Sequence, residues 1–114
     1  METREVIVVG GGPAGSSCAW RLQPRGMDVL ILDKATFPRT KLCAGWITPQ
    51  VLSDLQMDGQ EYPHRFLTFK KVKVHFAGLS FVFAAIQHSI RRYELDHWLL
   101  QRSGADVAVH KVQK

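Results

Sequence analysis

The stretch Val6-Ile7-Val8-Val9-Gly10-Gly11-Gly12-Pro13-Ala14-Gly15 decides the fold of this 114-residue chain. Its first four residues are apolar and β-branched and stop at Gly10, which reads as a strand buried on both faces, as in a parallel sheet. Pro13 suits the first turn of a helix, because its missing N–H has no helical partner there. Gly15, Ala19 and Leu22 then recur along one helical face, and the helix should end near Pro24-Arg25-Gly26. Val29-Leu30-Ile31-Leu32, closing at Asp33, reads as a second buried strand. Residues 5–33 therefore form a βαβ unit.

Within it, Gly10-Gly11-Gly12-Pro13-Ala14-Gly15 contains Gly-x-Gly-x-x-Gly directly after a strand and opening a helix, the context that raises this motif above coincidence. Gly10 permits a tight turn, Gly12 lets the backbone approach a pyrophosphate, and Gly15 allows helix and strand to close on each other. Helix-terminal N–H groups and the helix dipole then hold the anion. Asp33 follows at the end of the second strand, where a carboxylate accepts hydrogen bonds from an adenosine ribose. No Gly-Lys-Ser/Thr follows, which excludes a phosphate loop for nucleoside triphosphates.

Outward from this unit, residues 34–48 read as an irregular loop and Pro49 to Leu55 as a short helix. Val72, Val74 and Phe76 alternate with Lys71, Lys73 and His75, the period of a half-buried strand, and Gly78 precedes an apolar run at Phe81–Ile86. An antiparallel hairpin is the simplest reading, with Phe66, Phe69, Phe76, Phe81 and Phe83 in a sheet core. Leu95, Trp98 and Leu99 recur at helical spacing, Ser103-Gly104 stops that helix, and Val107-Ala108-Val109 reads as a third parallel strand. The order describes a nucleotide-binding sheet interrupted by part of another domain.

Composition narrows the setting. A hydrophobic fraction of 46% against 22% charged is ordinary for a globular chain. The net charge of +5 lies in the second half, since residues 1–58 carry six basic and six acidic side chains and residues 59–114 carry nine and four. Basic patches attract phosphates, nucleic acid or anionic membranes, but Lys70, Lys71 and Lys73 sit beside apolar residues in a strand, so a solvated strand face is expected and nucleic acid is not. No apolar run approaches the ~20 residues that span a bilayer, and the first residues lack the pattern of a secretory signal. Two cysteines, Cys18 and Cys43, form no paired motif, and the five histidines show no metal spacing. A cytoplasmic protein without a bound metal is expected. Cys18 reads as core, Trp20 and Trp98 as packing residues, and Trp46 as a loop residue able to stack on a ring.

The extended pattern from Gly10 through Ala19, Leu22, Gly26 and Val29 to Asp33 resembles the FAD-binding fingerprint of flavoprotein oxidoreductases. Phe37-Pro38-Arg39-Thr40-Lys41-Leu42-Cys43-Ala44-Gly45 is similar to the Pro-Arg-x-Lys-x-Cys-Gly-Gly loop of the geranylgeranyl reductase family, relatives of the aromatic-hydroxylase and halogenase flavoproteins. Arg92-Tyr93-Glu94-Leu95-Asp96-x-x-Leu99 resembles that family's Arg-x-x-Phe-Asp-x-x-Leu helix. Ala44 stands where the family usually has glycine, and Trp46 where it has a small residue. If position 44 needs a left-handed backbone, alanine costs roughly 1–2 kcal/mol there.

The resemblance implies an α/β fold, a Rossmann-like FAD-binding βαβ sheet interrupted by an antiparallel hairpin from a substrate domain and incomplete at the C-terminus. Residues 1–48 would be the FAD-binding βαβ unit and flavin-side loop, 49–88 a partial substrate-domain excursion, and 89–114 the return. FAD is the implied cofactor, its ADP half held by Gly10, Gly12, Pro13, Ala14, Gly15 and Asp33, with Arg39 and Arg92 on its ribose or phosphates. Lys41 and Cys43 would be the catalytic-loop residues nearest flavin and substrate. The implied activity is reduction of isoprenoid alkenes by reduced flavin. A flavin monooxygenase or halogenase is the alternative enzyme, and a noncatalytic nucleotide-binding fragment the alternative from another class. The implied partners are a small isoprenoid or lipid substrate, an electron donor left open, and the missing C-terminal part of the same enzyme, with peripheral membrane contact compatible.

Overall fold

The computed structural model describes residues 1–57 and 60–113. In chain order the elements are β1 (Val6–Val9), α1 (Pro13–Leu22) with a 3-10 turn at Gln23–Arg25, β2 (Val29–Asp33), β3 (Trp46–Ile47), α2 (Pro49–Asp54), β4 (Leu67–Phe76), β5 (Leu79–Ser89), α3 (Arg92–Ser103) and β6 (Asp106–Val109). They fall into two compact units, Met1–Lys41 with Tyr93–Lys114, and Leu42–Arg92.

The first unit is built on a parallel sheet in the order β1-β2-β6. Val6 to Val9 pair with Val29 to Leu32, and Leu30 to Asp33 pair with Asp106 to Val109. Beyond the last rung, the His110 N–H donates to the Asp33 carbonyl at 2.7 Å. Ala19 of α1, Leu100 of α3, and Val29 and Ile31 of β2 form the buried core, flanked by Val6, Val8, Leu22 and Phe37. Each such aliphatic side chain contributes about 1.5–3 kcal/mol when fully buried.

Both helices contribute to the core on this one face of the sheet. β1 is consequently not buried on both sides, contrary to the expectation from its unbroken apolar run. Ile7 and Val9 point the other way and are 56% and 65% exposed. Cys18 also departs from expectation: α1 turns Ser16 and Ala19 inward, and residue 18 lies around the helix from both and is exposed.

Arg4 ties the starting ends of the strands together. Its Nη1 donates to Asp28, just before β2, at 2.9 Å and to Asp106, the first residue of β6, at 2.6 Å, and it also pairs with Glu2. Hydrogen bonds to Glu2, Asp106 and Asp28 raise the guanidinium above its ordinary range. This cluster lies at the opposite end of the strands from the glycine-rich turn.

The second unit contains the antiparallel sheet β3-β5-β4. β4 and β5 are joined by a two-residue turn in which Ala77 (φ 49°) and Gly78 (φ 77°) are both left-handed, the backbone of a type I′ hairpin. In register, Val72, Val74 and Phe76 stand opposite Phe83, Phe81 and Leu79, and the ladder is irregular between Phe69 and Lys71. The expected phenylalanine core is not formed: Phe69, Phe76, Phe81 and Phe83 are between 46% and 75% exposed. Beyond the two rungs of β3 the sheet is only β4 paired with β5, and among the described residues these phenylalanines stay exposed, so alternation alone does not bury a face. Phe66 is half-buried, edge-on to the His88 ring with centroids 5.4 Å apart. Lys70, Lys71 and Lys73 are solvent-facing, as expected of a solvated strand. Trp46, expected in a loop, lies in β3 beside Ser89, and its indole N–H donates to Gln87 at 2.8 Å. Among the described residues no helix is long and apolar enough to cross a membrane.

Candidate functional site

At the carboxyl ends of β1 and β2 the glycine-rich turn leads into α1. Gly10 (φ 101°) has a backbone that side-chain-bearing residues rarely adopt, and its N–H donates to the Leu32 carbonyl at 2.8 Å. A β-carbon on Gly15 would lie 1.8 Å from the Gly10 carbonyl oxygen, so only glycine lets α1 rise this close to the strand end. Gly12 is the residue before the helix, and no side chain caps α1, whose first position is Pro13. The Ser16 N–H and hydroxyl both donate to the Gly12 carbonyl, at 2.9 and 2.8 Å. Ala14 is exposed on the first turn. The first-turn N–H groups and the positive end of the helix dipole thus present themselves without a competing side-chain acceptor, the arrangement that suits an anion.

Asp33 fixes this turn to the end of β2. Its Oδ2 accepts the Gly11 N–H at 2.7 Å and its Oδ1 accepts the Ala35 N–H at 2.8 Å, with the residue buried. Burial pushes its carboxyl upward, but the Gly11 and Ala35 hydrogen bonds, with Arg39 and Lys34 nearby, outweigh it and hold the group below the ordinary aspartate range. The carboxylate oxygens keep further lone pairs with which to accept a sugar hydroxyl.

Arg39 comes from the loop after β2. Its Nη1 donates to Asp96 at 3.0 Å, and its guanidinium carbon lies 4.6 Å from the centroid of the Phe37 ring. Its Nη2 is 3.5 Å from where a β-carbon on Gly12 would stand. The lack of a side chain at Gly12 therefore leaves a gap between the uncapped helix end and a guanidinium, a gap of the right chemistry for a phosphate group.

The first unit brings Gly10, Gly12, Pro13, Ala14, Gly15, Asp33 and Arg39 together at one end of its sheet. Lys41 is exposed at the end of that unit's first segment, and Arg92 opens α3, half-buried. Cys43 belongs to the second unit, where its exposed Sγ accepts the Gly45 N–H at 3.4 Å. The left-handed residue of this loop is Gly45 (φ 72°), so alanine at position 44 carries no such strain. A β-carbon on Gly45 would lie 2.1 Å from the Ile90 carbonyl oxygen, and the Ile90 N–H donates to the Gly45 carbonyl at 2.8 Å. Among the described residues, no three histidine, cysteine or acidic side chains converge as a metal site.

Two residues were given no site role by the sequence reading, although Asp96 stands in the α3 motif. Ser16, fully buried, ties the first turn of α1, and Asp96, fully buried, pairs with Arg39. The signal for Asp96 was its spacing: residues 96, 99, 100 and 103 fall at i, i+3, i+4 and i+7, which puts a carboxylate on the buried face of α3.

Residues 5–113 match the FAD dependent oxidoreductase family, and the chain belongs to it. The menaquinone reductase of Mycobacterium tuberculosis (strain ATCC 25618 / H37Rv) is 36% identical over 105 residues, which cover 83% of this chain and 25% of that protein. The geranylgeranyl diphosphate reductase of Rhodobacter capsulatus is 33% identical over 106 residues, covering 88% of this chain and 25% of that protein. Among solved structures, the myxobacterial chondrochloren halogenase CndH superposes with a TM-score of 0.77 over 94% of this chain and 28% of that one, at 24% identity, a likeness of fold. The chain thus spans about a quarter of the length of these relatives. They include reductases of the kind the three sequence motifs resemble, and FAD is the family's cofactor. The uncapped helix end, the gap at Gly12, the Arg39 guanidinium and the Asp33 carboxylate fit the ADP half of that cofactor.

Proposed function

We propose that these residues hold the ADP half of FAD in an oxidoreductase that reduces carbon–carbon double bonds of an isoprenoid substrate. The observation that carries the cofactor assignment is the uncapped N-terminus of α1 at Gly12 with Arg39 Nη2 only 3.5 Å from where a β-carbon on Gly12 would stand. There the α1 N–H groups and Arg39 would hold the pyrophosphate and Asp33 the adenosine ribose. Gly10, Pro13, Ala14 and Gly15 shape the turn that lets the dinucleotide approach.

When bound and reduced, FAD supplies a hydride; a proton completes addition across the alkene. The chain's part is to bind, orient and exclude water, with Lys41 and Cys43 on the loop leading toward flavin and substrate. The isoprenoid reading rests on the relatives named as a geranylgeranyl diphosphate reductase and a menaquinone reductase. The apolar face of the β4–β5 hairpin, read as part of a substrate domain, supports it, since an isoprenoid chain offers apolar surface for recognition.

The test uses the whole protein to which these residues belong, its flavin reduced without oxygen and mixed with a geranylgeranyl substrate. Flavin reoxidation with product gaining two hydrogens per double bond is expected. Reoxidation only when oxygen is admitted, with a hydroxylated or halogenated product, would replace this reading with monooxygenase or halogenase chemistry.

A further inference from the structure

We propose that Asp96 is the positioning residue for Arg39, setting the guanidinium over Gly12 as half of an anion clamp whose other half is the N-terminus of α1. The inference rests on the dinucleotide reading of the site and assigns a part to a residue of α3 that touches no ligand itself. Its starting point is an unusual burial. Asp96 is fully buried while Arg39 keeps 17% of its side-chain surface exposed, and the two meet at 3.0 Å. Taking a carboxylate wholly out of water is costly and the attraction to a partner seldom exceeds that cost, so the pair is poor value as a stabilising contact alone.

What it does achieve is geometry. A guanidinium is a planar fork of five donors, so anchoring one end dictates the direction of the other. With Nη1 fixed on Asp96 and the guanidinium carbon 4.6 Å from the Phe37 ring centroid, Nη2 is carried to 3.5 Å from the missing β-carbon of Gly12. Without Asp96, Arg39 would be a long, mobile side chain on a loop, and an anion would have to order it on binding, which weakens affinity. Asp96 also sits one turn before Leu100, whose Cδ1 would lie 3.3 Å from a β-carbon on Gly11. The same face of α3 therefore backs both the glycine-rich turn and the arginine that faces it.

The experiment titrates ADP into the isotopically labelled chain and follows the Gly10–Gly15 amides and the Arg39 Nε–H signal by NMR. In the wild type ADP should shift the Gly12 amide and the Arg39 signal together. Asp96→Asn should weaken ADP binding about tenfold, Arg39→Ala by at least as much, and the double variant no further than Arg39→Ala alone, the coupling expected of groups acting as one unit. Additive losses, an Asp96→Asn variant that binds like wild type, or Arg39 signals unmoved by ADP that shifts Gly12 would overturn the inference and leave the dinucleotide reading standing. Failure of ADP to shift any of the glycine amides would overturn both. Should Asp96→Asn not fold, Asp96→Glu, which keeps the charge but displaces it by one methylene, decides: it should weaken ADP binding and uncouple the Arg39 signal from the Gly12 amide, and wild-type binding with joint movement would overturn the inference.

Discussion

The Gly11 N–H donates to the Asp33 carboxylate at 2.7 Å, joining the middle of the glycine-rich turn to the end of the neighbouring strand. One acidic side chain thereby holds the turn in shape and presents negative charge beside it. The two duties make separate demands on the protonation state of Asp33, and both can be measured.

Asp33→Asn should destabilise the chain at neutral pH by about 1–3 kcal/mol, because an amide cannot accept both the Gly11 and the Ala35 N–H. The carboxyl is held below its ordinary value, so its extra stability is present above the unfolded value of about 3.9 and is lost as pH falls through the lower folded value. Urea melts of both proteins should therefore differ most above pH 5 and converge on acidification. A constant difference across the range would contradict the role given to the carboxylate.

Because Asp33 stays ionised at neutral pH, it should exclude a 2′-phosphate from the adenosine ribose by direct repulsion. FAD and ADP-ribose should compete for the site, and NADP should compete poorly. Stronger displacement by NADP than by ADP-ribose would show that Asp33 does not face the ribose.

The glycines of the turn should separate by consequence. Gly15→Ala puts a β-carbon 1.8 Å from the Gly10 carbonyl oxygen, and about 3 kcal/mol or more of stability should be lost. Gly12→Val should leave a folded protein with no dinucleotide binding, since a branched side chain fills the anion gap. Thermal melts and ligand titration run side by side check the pair; equal destabilisation by both would argue that Gly12 serves packing.

Ala77 takes a left-handed backbone in the hairpin turn without being glycine. Ala77→Asn, which creates the Asn-Gly pair this turn type favours, should stabilise the hairpin by up to about 1 kcal/mol. Hydrogen exchange of the β4 and β5 amides measures it directly, and unchanged or faster exchange would be contrary to the φ angle found there.

Much of the first unit was legible because its signals are local. Four β-branched residues, a glycine turn and Pro13 specify strand, turn and helix within a few residues of one another. Gly104 likewise marks the end of α3. Burial was less legible, since it depends on what covers a face. Ile7 and Val9 look identical in sequence to Val6 and Val8, but both helices contribute core residues on one side. The hairpin phenylalanines carried the same ambiguity. Long-range pairings such as Arg39 with Asp96, 57 positions apart, and Arg4 with Asp106, 102 apart, leave no spacing signature. Asp96 was visible as a position of the α3 motif, and its place on the buried face of that helix was there to be read, but nothing in the sequence tied it to Arg39.

This chain is expected to recognise FAD chiefly through its ADP half, at the α1 N-terminus, Asp33 and Arg39. Equilibrium dialysis of residues 1–114 against ADP, FAD and FMN tests it most directly. ADP and FAD should bind one site, competitively and with similar weak affinity, while FMN, which lacks the adenosine, should not bind. The uncovered faces at Ile7, Val9 and the hairpin should also make the chain self-associate, which sedimentation of the same samples reports. A monomer that retains one tightly bound FAD, or that binds FMN in preference to ADP, would contradict the account.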